Sequence, residues 1–172
     1  PGIVAAYDFS RFDLIADIGG GRGHLIRAVL RTALGARGIL FDLPRVIEEA
    51  TAAPSERLTF QAGDFFGDVL PACDAYLLMH VIHDWGDAQA VEILKGIRRA
   101  APARARVLVI ETTILDDAKP SMAKILDLQV LTILAAKERT REEYAGLLKA
   151  AGLRFEREIE TGVGVSILEA SP

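Results

Sequence analysis

The chain of 172 residues carries a formal net charge of -4 and is 51% apolar, which allows one sizeable core and gives no electrostatic footprint for a nucleic acid. Its single cysteine, Cys73, cannot close an internal disulfide, and no uninterrupted apolar run approaches the roughly 20 residues that span a bilayer. The composition therefore points to one compact domain with a small-molecule ligand, in a reduced, cytoplasmic setting, with no membrane or nucleic-acid partner.

Pro1 to Ser10 (PGIVAAYDFS) reads as part of a helix and turn that runs almost at once into a first β-prone run, Leu14 to Ile18. From so abrupt an opening the expectation is that the chain is a piece of a longer protein. Helical periodicity follows at about Gly23 to Leu34, then a strand at Gly38 to Phe41, a helix at Pro44 to Ala52, and strands at Leu58 to Gln61 and Ala75 to Leu78. Beyond these lie a helix at Asp87 to Ala100, a strand at Arg106 to Ile110, and an almost entirely apolar helix from Ser121 to Lys137 (SMAKILDLQVLTILAAK). That helix should be buried in the core, under another domain or against a second subunit. Two closing strands, Phe155 to Ile159 and Val163 to Leu168, are separated only by Glu160 to Gly162, short enough for a hairpin. The alternation predicts an α/β fold: a Rossmann-like, doubly wound, mostly parallel seven-stranded sheet with one antiparallel strand near the C-terminus.

In such a sheet ligands sit beyond the carboxyl ends of the strands, and DIGGGRGH, from Asp17 to His24, occupies the first of those ends. A dinucleotide fingerprint G-x-G-x-x-G begun at Gly19 fails at its sixth position, His24. What fits is an acidic residue followed by alternating glycines: Asp17, Gly19, Gly21, Gly23. A carboxylate there suits a cofactor with an ammonium and no diphosphate, and S-adenosylmethionine (SAM) is such a molecule. Asp42, ending the second strand in GILFDLP, is placed to accept from both ribose hydroxyls. Asp64, after the third strand in QAGDFF, is placed to accept from an adenine amino group while Phe65 lies against the ring. Taken singly, each carboxylate also reads as a helix cap or a solvated turn.

As an ordered set these segments resemble the plant-type and bacterial small-molecule O-methyltransferases, the caffeate and hydroxyindole O-methyltransferase family. The resemblance runs through AAYDF, DIGGGRG, FDLPRVIEEA, GDFF, HVIHDWGD and KERT to the closing strands. It implies SAM as cofactor, with S-adenosylhomocysteine (SAH) as product, bound by Asp17, Gly19, Gly20, Gly21, Asp42, Leu43, Asp64, Phe65 and the position of Met79. It also implies that His83, the histidine of HDW, is the catalytic base, flanked and oriented by Glu111 and Glu138. An imidazole with a reference pKa of about 6.5 can take the proton of a hydroxyl as its oxygen attacks a methyl group. Asp84 is open between this neighbourhood and a cap for the helix near Asp87, and Trp85 between the site and the core. Replacing Glu111 by Gln is expected to cost less than removing His83.

A metal reading competes. His80 and His83, three apart, would share a helix face, and Asp84 and Asp87 could add oxygen ligands, but no cysteine or third histidine lies nearby, so the expectation is no metal. Two departures from the family pattern stand out: Met79 where many members carry a lysine, and Ala135-Ala136 where Gly-Gly often precedes KERT. Full-length members carry an N-terminal helical domain that dimerises and closes the acceptor pocket, so this chain is expected to be the catalytic domain of a homodimer in secondary metabolism. The acceptor expected is a hydroxylated aromatic or polyketide-like small molecule. Two other functions stay open: a SAM-binding relative that hydroxylates or decarboxylates, and a cofactor-binding module without turnover in isolation.

Overall fold

A computed structural model describes residues 2–50, 55–114 and 139–172. The segment Ser121 to Lys137, with Ala135-Ala136, and Glu138 lie outside the described residues. Strands β1 (Leu14–Ile18), β2 (Arg37–Asp42), β3 (Leu58–Ala62), β4 (Ala75–Met79), β5 (Arg106–Glu111), β8 (Arg154–Glu160) and β9 (Ser166–Ser171) form one sheet in the order β3-β2-β1-β4-β5-β9-β8. Only β9 runs antiparallel to its neighbours β5 and β8. The predicted doubly wound α/β sheet, with one reversed strand near the C-terminus, is the fold found.

Burial on both faces explains why the central strands read as unbroken apolar runs. Along β1, Ala16 and Ile18 enter one core cluster and Ile15 the other, the alternation of an extended strand. The first cluster lies beneath helices α4 (Asp87–Ala100) and α5 (Arg141–Ala150), which contribute Ile93, Ile97, Tyr144 and Leu148. The second lies beneath α1 (Gly2–Ala6), α2 (His24–Thr32) and α3 (Pro44–Ala50), with Ile3, Ile26, Val29 and Ile47. Helix α2 stops two residues earlier than its apolar pattern suggests. The Arg57 guanidinium donates to the carbonyls of Leu30, Ala33, Leu34 and Ala36, satisfying the end of the helix and leaving Leu34 exposed.

The last strand is displaced from its predicted place. Val163 to Val165 looks β-prone, but Gly162 and Gly164 take φ of 70° and 86°, which no extended strand allows, so the hairpin loop runs through residues 161–165 and pairing begins at Ser166. A further small element was not foreseen: β6 (Thr113–Ile114) pairs in parallel with β7 (Arg139–Thr140), Thr113 opposite Arg139 and Ile114 opposite Thr140. Strand order reverses between β1 and β4, which opens a crevice at their carboxyl ends. No helix among the described residues is long and apolar enough to cross a membrane. Cys73 is buried, and that burial pushes its thiol up to about 12, making it a core residue without redox character at neutral pH.

Candidate active site

The crevice holds a cleft of about 260 Å³ lined from four strand ends: Gly19 after β1, Asp42 and Leu43 at β2, Gly63 to Phe66 after β3, and His80, Val81, Asp84 and Trp85 after β4. Five of the predicted cofactor residues, Gly19, Asp42, Leu43, Asp64 and Phe65, line it together. Asp42 receives the Gly21 amide on Oδ2 at 2.8 Å and the Leu43 amide on Oδ1 at 2.7 Å, so its carboxylate is held still with lone pairs to spare. Asp64 Oδ1 accepts from the Phe66 amide at 2.9 Å, a local turn that fixes the loop. Phe65, Phe66 and Trp85 meet edge to face, with centroids 4.7 to 5.9 Å apart, and give the cleft an aromatic wall. Phe66 was not singled out from the sequence; the FF pair after β3 was the signal.

The glycines divide into two kinds. Gly19 and Gly21 have φ of 67° and 59°, and Gly23, at 75°, opens α2. A Cβ on Gly19 would lie 3.0 Å from Val81 Cγ2, inside the cleft wall, so backbone reaches the ligand space there. Gly20 is required by the core instead: its Cβ would fall 2.5 Å from the Asp17 carboxyl carbon and from Leu40.

That contact corrects the role expected of Asp17. Its side chain points to the α2 side of the sheet, 1% exposed, and does not line the cleft. Oδ2 accepts from the Ile26 amide at 3.2 Å, and Oδ1 has no hydrogen-bond partner among the described residues. Desolvation pushes this carboxyl up, the Ile26 amide draws it down and the charge of Asp42 raises it again, leaving it at about 7. Gly20 and Gly21 also lie outside the cleft lining. Met79 belongs to a second cleft, of about 620 Å³, between α1 and α2 with Ile3, His24 and Leu25.

Beside the first cleft stands the predicted base. His83 lies in a 3-10 turn, Ile82–Asp84, and its Nδ1 is 2.6 Å from Glu111 Oε2. Glu111, fully buried at the end of β5, uses its other oxygen for the turn itself: Oε1 accepts from the amides of Val81, Ile82 and His83 at 3.1, 2.9 and 3.3 Å. Asp84 Oδ1 is 3.2 Å from His83 Nε2, so Asp84 belongs to the site and does not cap α4, whose first turn follows Gly86 with no side-chain cap. Trp85 belongs to both neighbourhoods, lining the cleft and packing against the core.

His80 and His83 do not share a helix face. His80 adopts φ of 54°, a left-handed conformation rare outside glycine, and turns the chain out of β4 into the 3-10 turn. Its Nδ1 still approaches Glu111 Oε2, at 3.6 Å, so the two imidazoles and the carboxylate could be read as three metal ligands. Two ligands on one ion at about 2.1 Å stand roughly 3.0–3.4 Å apart. The 2.6 Å between His83 and Glu111 is instead the length of a charge-assisted hydrogen bond.

By strand order and by the position of its cleft, the molecule is a Rossmann-like α/β domain of the methyltransferase type. More particularly, the chain belongs to the O-methyltransferase domain family, whose profile matches residues 2–154. Phenazine O-methyltransferase PhzM of Lysobacter antibioticus is 42% identical over 99% of this chain and 51% of that protein. The crystal structure of human N-acetylserotonin methyltransferase in complex with SAM matches with a TM-score of 0.92 at 33% identity, over 99% of this chain and 50% of that one. CalO1, a methyltransferase in calicheamicin biosynthesis in its SAH-bound form, matches with a TM-score of 0.91 at 34% identity, over 99% and 52%. The chain thus spans about half the length of the curated relatives it matches.

Proposed function

We propose that the chain is the cofactor-binding catalytic part of a SAM-dependent O-methyltransferase acting on a hydroxyl of an aromatic or natural-product small molecule. The observation that carries this reading is the half-buried His83, held by the buried Glu111 beside a cleft that carries Asp42, Asp64 and Asp84 and, among the described residues, no Lys or Arg. Such a lining repels a diphosphate and suits the hydroxyl and amino donors and positive charge of SAM. Gly19 supplies the close backbone approach, Asp42 the acceptor for ribose hydroxyls, and Asp64 with Phe65 the adenine subsite. When bound, the cofactor supplies an electrophilic sulfonium methyl; the proton chemistry belongs to the chain.

Glu111 sets that chemistry up. Its Oε2 accepts the Nδ1 proton of His83, which leaves Nε2 as the acceptor for the proton of the attacking hydroxyl. As Nε2 gains that proton, Asp84 Oδ1 lies within hydrogen-bond reach and Glu111 steadies the cation formed. Glu138 is proposed, from the family resemblance, as the second carboxylate against the histidine. The rest of the full-length protein supplies the acceptor-pocket walls and a homodimer interface, and the enzyme works on a small molecule in the cytoplasm, without metal, in secondary metabolism.

The test is an assay of the full-length protein with methyl-labelled SAM and a hydroxyphenazine, the acceptor class named by the phenazine relative, followed by mass spectrometry of the product. The expected result is transfer of the label to the phenazine oxygen, with SAH bound more tightly than NAD in calorimetry. Tighter binding of NAD, or a hydroxylated or decarboxylated product without label, overturns the proposal.

A further inference from the structure

Arg139 is 0% exposed, which is exceptional for arginine. Burying a guanidinium is costly unless its donors are used, and here they converge on one place. Nη1 donates to the Ile82 carbonyl at 3.2 Å and Nη2 to the Trp85 carbonyl at 2.7 Å, the two carbonyls that bracket His83 and Asp84. Nε and Nη2 both reach Asp87 Oδ1, at 3.0 and 2.8 Å, in the first turn of α4. The guanidinium also lies 5.8 Å from the centroid of the Tyr144 ring of α5.

The histidine turn is therefore held from two chemical sides. Glu111 takes its amides and Arg139 gives to its carbonyls. The two holders are themselves linked: β5 ends at Glu111, and two residues later Thr113 pairs with Arg139. We infer that Arg139 is a positioning residue for methyl transfer, fixing the His83 turn against α4 and tying its position to the paired strands β6 and β7. The inference rests on His83 being the base. It assigns a role to an arginine that the KERT motif contains but that the sequence reading left without one.

A one-ångström displacement of a catalytic group can cost on the order of 10²-fold in rate. Arg139→Met in the full-length protein is expected to lower kcat with SAM and a hydroxyphenazine by roughly 10- to 100-fold, while SAH affinity by calorimetry stays within about threefold. Arg139→Lys keeps the charge without the fork and should recover part of the loss. The imidazole ¹⁵N shifts of His83 give a second readout that needs no turnover, and they should move in both variants. Asp87→Asn, which weakens the same anchor from its exposed end, should move them less. Should Arg139→Met fail to fold, Arg139→Lys decides, and Asp87→Asn decides if both fail. A folded variant with wild-type kcat and unmoved His83 shifts overturns the inference. If His83→Ala keeps full turnover while the His83 shifts still move in Arg139→Lys, the role of His83 as base is what has failed.

Discussion

Two buried carboxylates lie on neighbouring strands of one sheet and are wrapped in opposite ways. Glu169, on β9, accepts from the Tyr7 hydroxyl at 2.8 Å and from Arg157 at 2.7 Å, with Arg106 at 3.3 Å and Arg11 at 3.6 Å. Burial pushes its carboxyl up, but the bonds from Arg157 and Tyr7 and the charges of Arg157 and Arg11 outweigh that, and the net shift is downward. Burial and the same contact raise the Tyr7 hydroxyl, so neither partner changes state near neutrality. Glu111, on β5, is wrapped by three amides and a titratable ring. A carboxylate fixed by permanent cations ties the N-terminal segment to β9. One fixed by amides keeps a second oxygen for a group that exchanges protons, and that is where chemistry is possible.

The largest effect that would break this contrast is on turnover. His83→Ala in the full-length enzyme should lower kcat by about 10²–10⁴-fold with SAH affinity nearly unchanged, and should abolish the acid limb of the pH–rate profile. Glu111→Gln comes next, and the structure raises its expected cost. A glutamine amide offers one accepting oxygen and an NH2 with two donor hydrogens, but the amides of the turn and the Nδ1 proton each need an acceptor. Gln must either confront backbone amides with its own N–H groups or force the His83 proton onto Nε2. A loss of about 10²-fold or more is expected, read as kcat, and a Gln variant within a few-fold of wild type would remove Glu111 from the relay.

Smaller effects fall on stability. Asp17 has a folded pKa of about 7 against an ordinary 3.8, so the folded protein holds a proton that the unfolded chain releases. Its contribution is complete below pH ~4 and is lost as pH rises toward 7, at up to about 1.4 kcal/mol per pH unit. Denaturant titrations of wild type should show that decline and Asp17→Asn should flatten it; a wild-type profile identical to that of the variant would refute the burial of a protonated acid. Glu169→Gln should destabilise by about 1–3 kcal/mol in the same titrations and leave kcat near wild type. A large kcat loss with little loss of stability would erase the distinction between the two carboxylates.

The sheet was legible because β1, β4 and β5 are buried on both faces and so appear as apolar runs punctuated by turns. The last strand was misplaced because Val163 and Val165 mimic a strand whose intervening glycine is left-handed. Asp42 and Asp64 were readable as strand-end carboxylates. Asp17 was not, because alternation cannot show which side of a central parallel strand faces the ligand, and its neighbour Ile15 has no polar counterpart to compare. The unbroken run Gly19-Gly20-Gly21 suggested a ligand throughout, whereas Gly20 answers to Asp17 and Leu40 beneath it. His80 and His83 carried helical spacing that the left-handed His80 cancels. Arg139 was given no role for a simpler reason: arginine is ordinarily a surface residue, and although it lies in KERT and just before the capping box of Thr140 with Glu143, neither signal says that its side chain is buried.

The two-residue pairing of β6 with β7 bears on how such proteins diversify. Thr113 and Ile114 on one side, Arg139 and Thr140 on the other, stand in a fixed parallel register. One residue deleted at Thr113 slips that register, carries Arg139 with it and unseats the turn that holds His83. A change of chain length that touches neither cofactor cleft nor histidine thus reaches both through two short strands, and lineages are expected to keep that count constant.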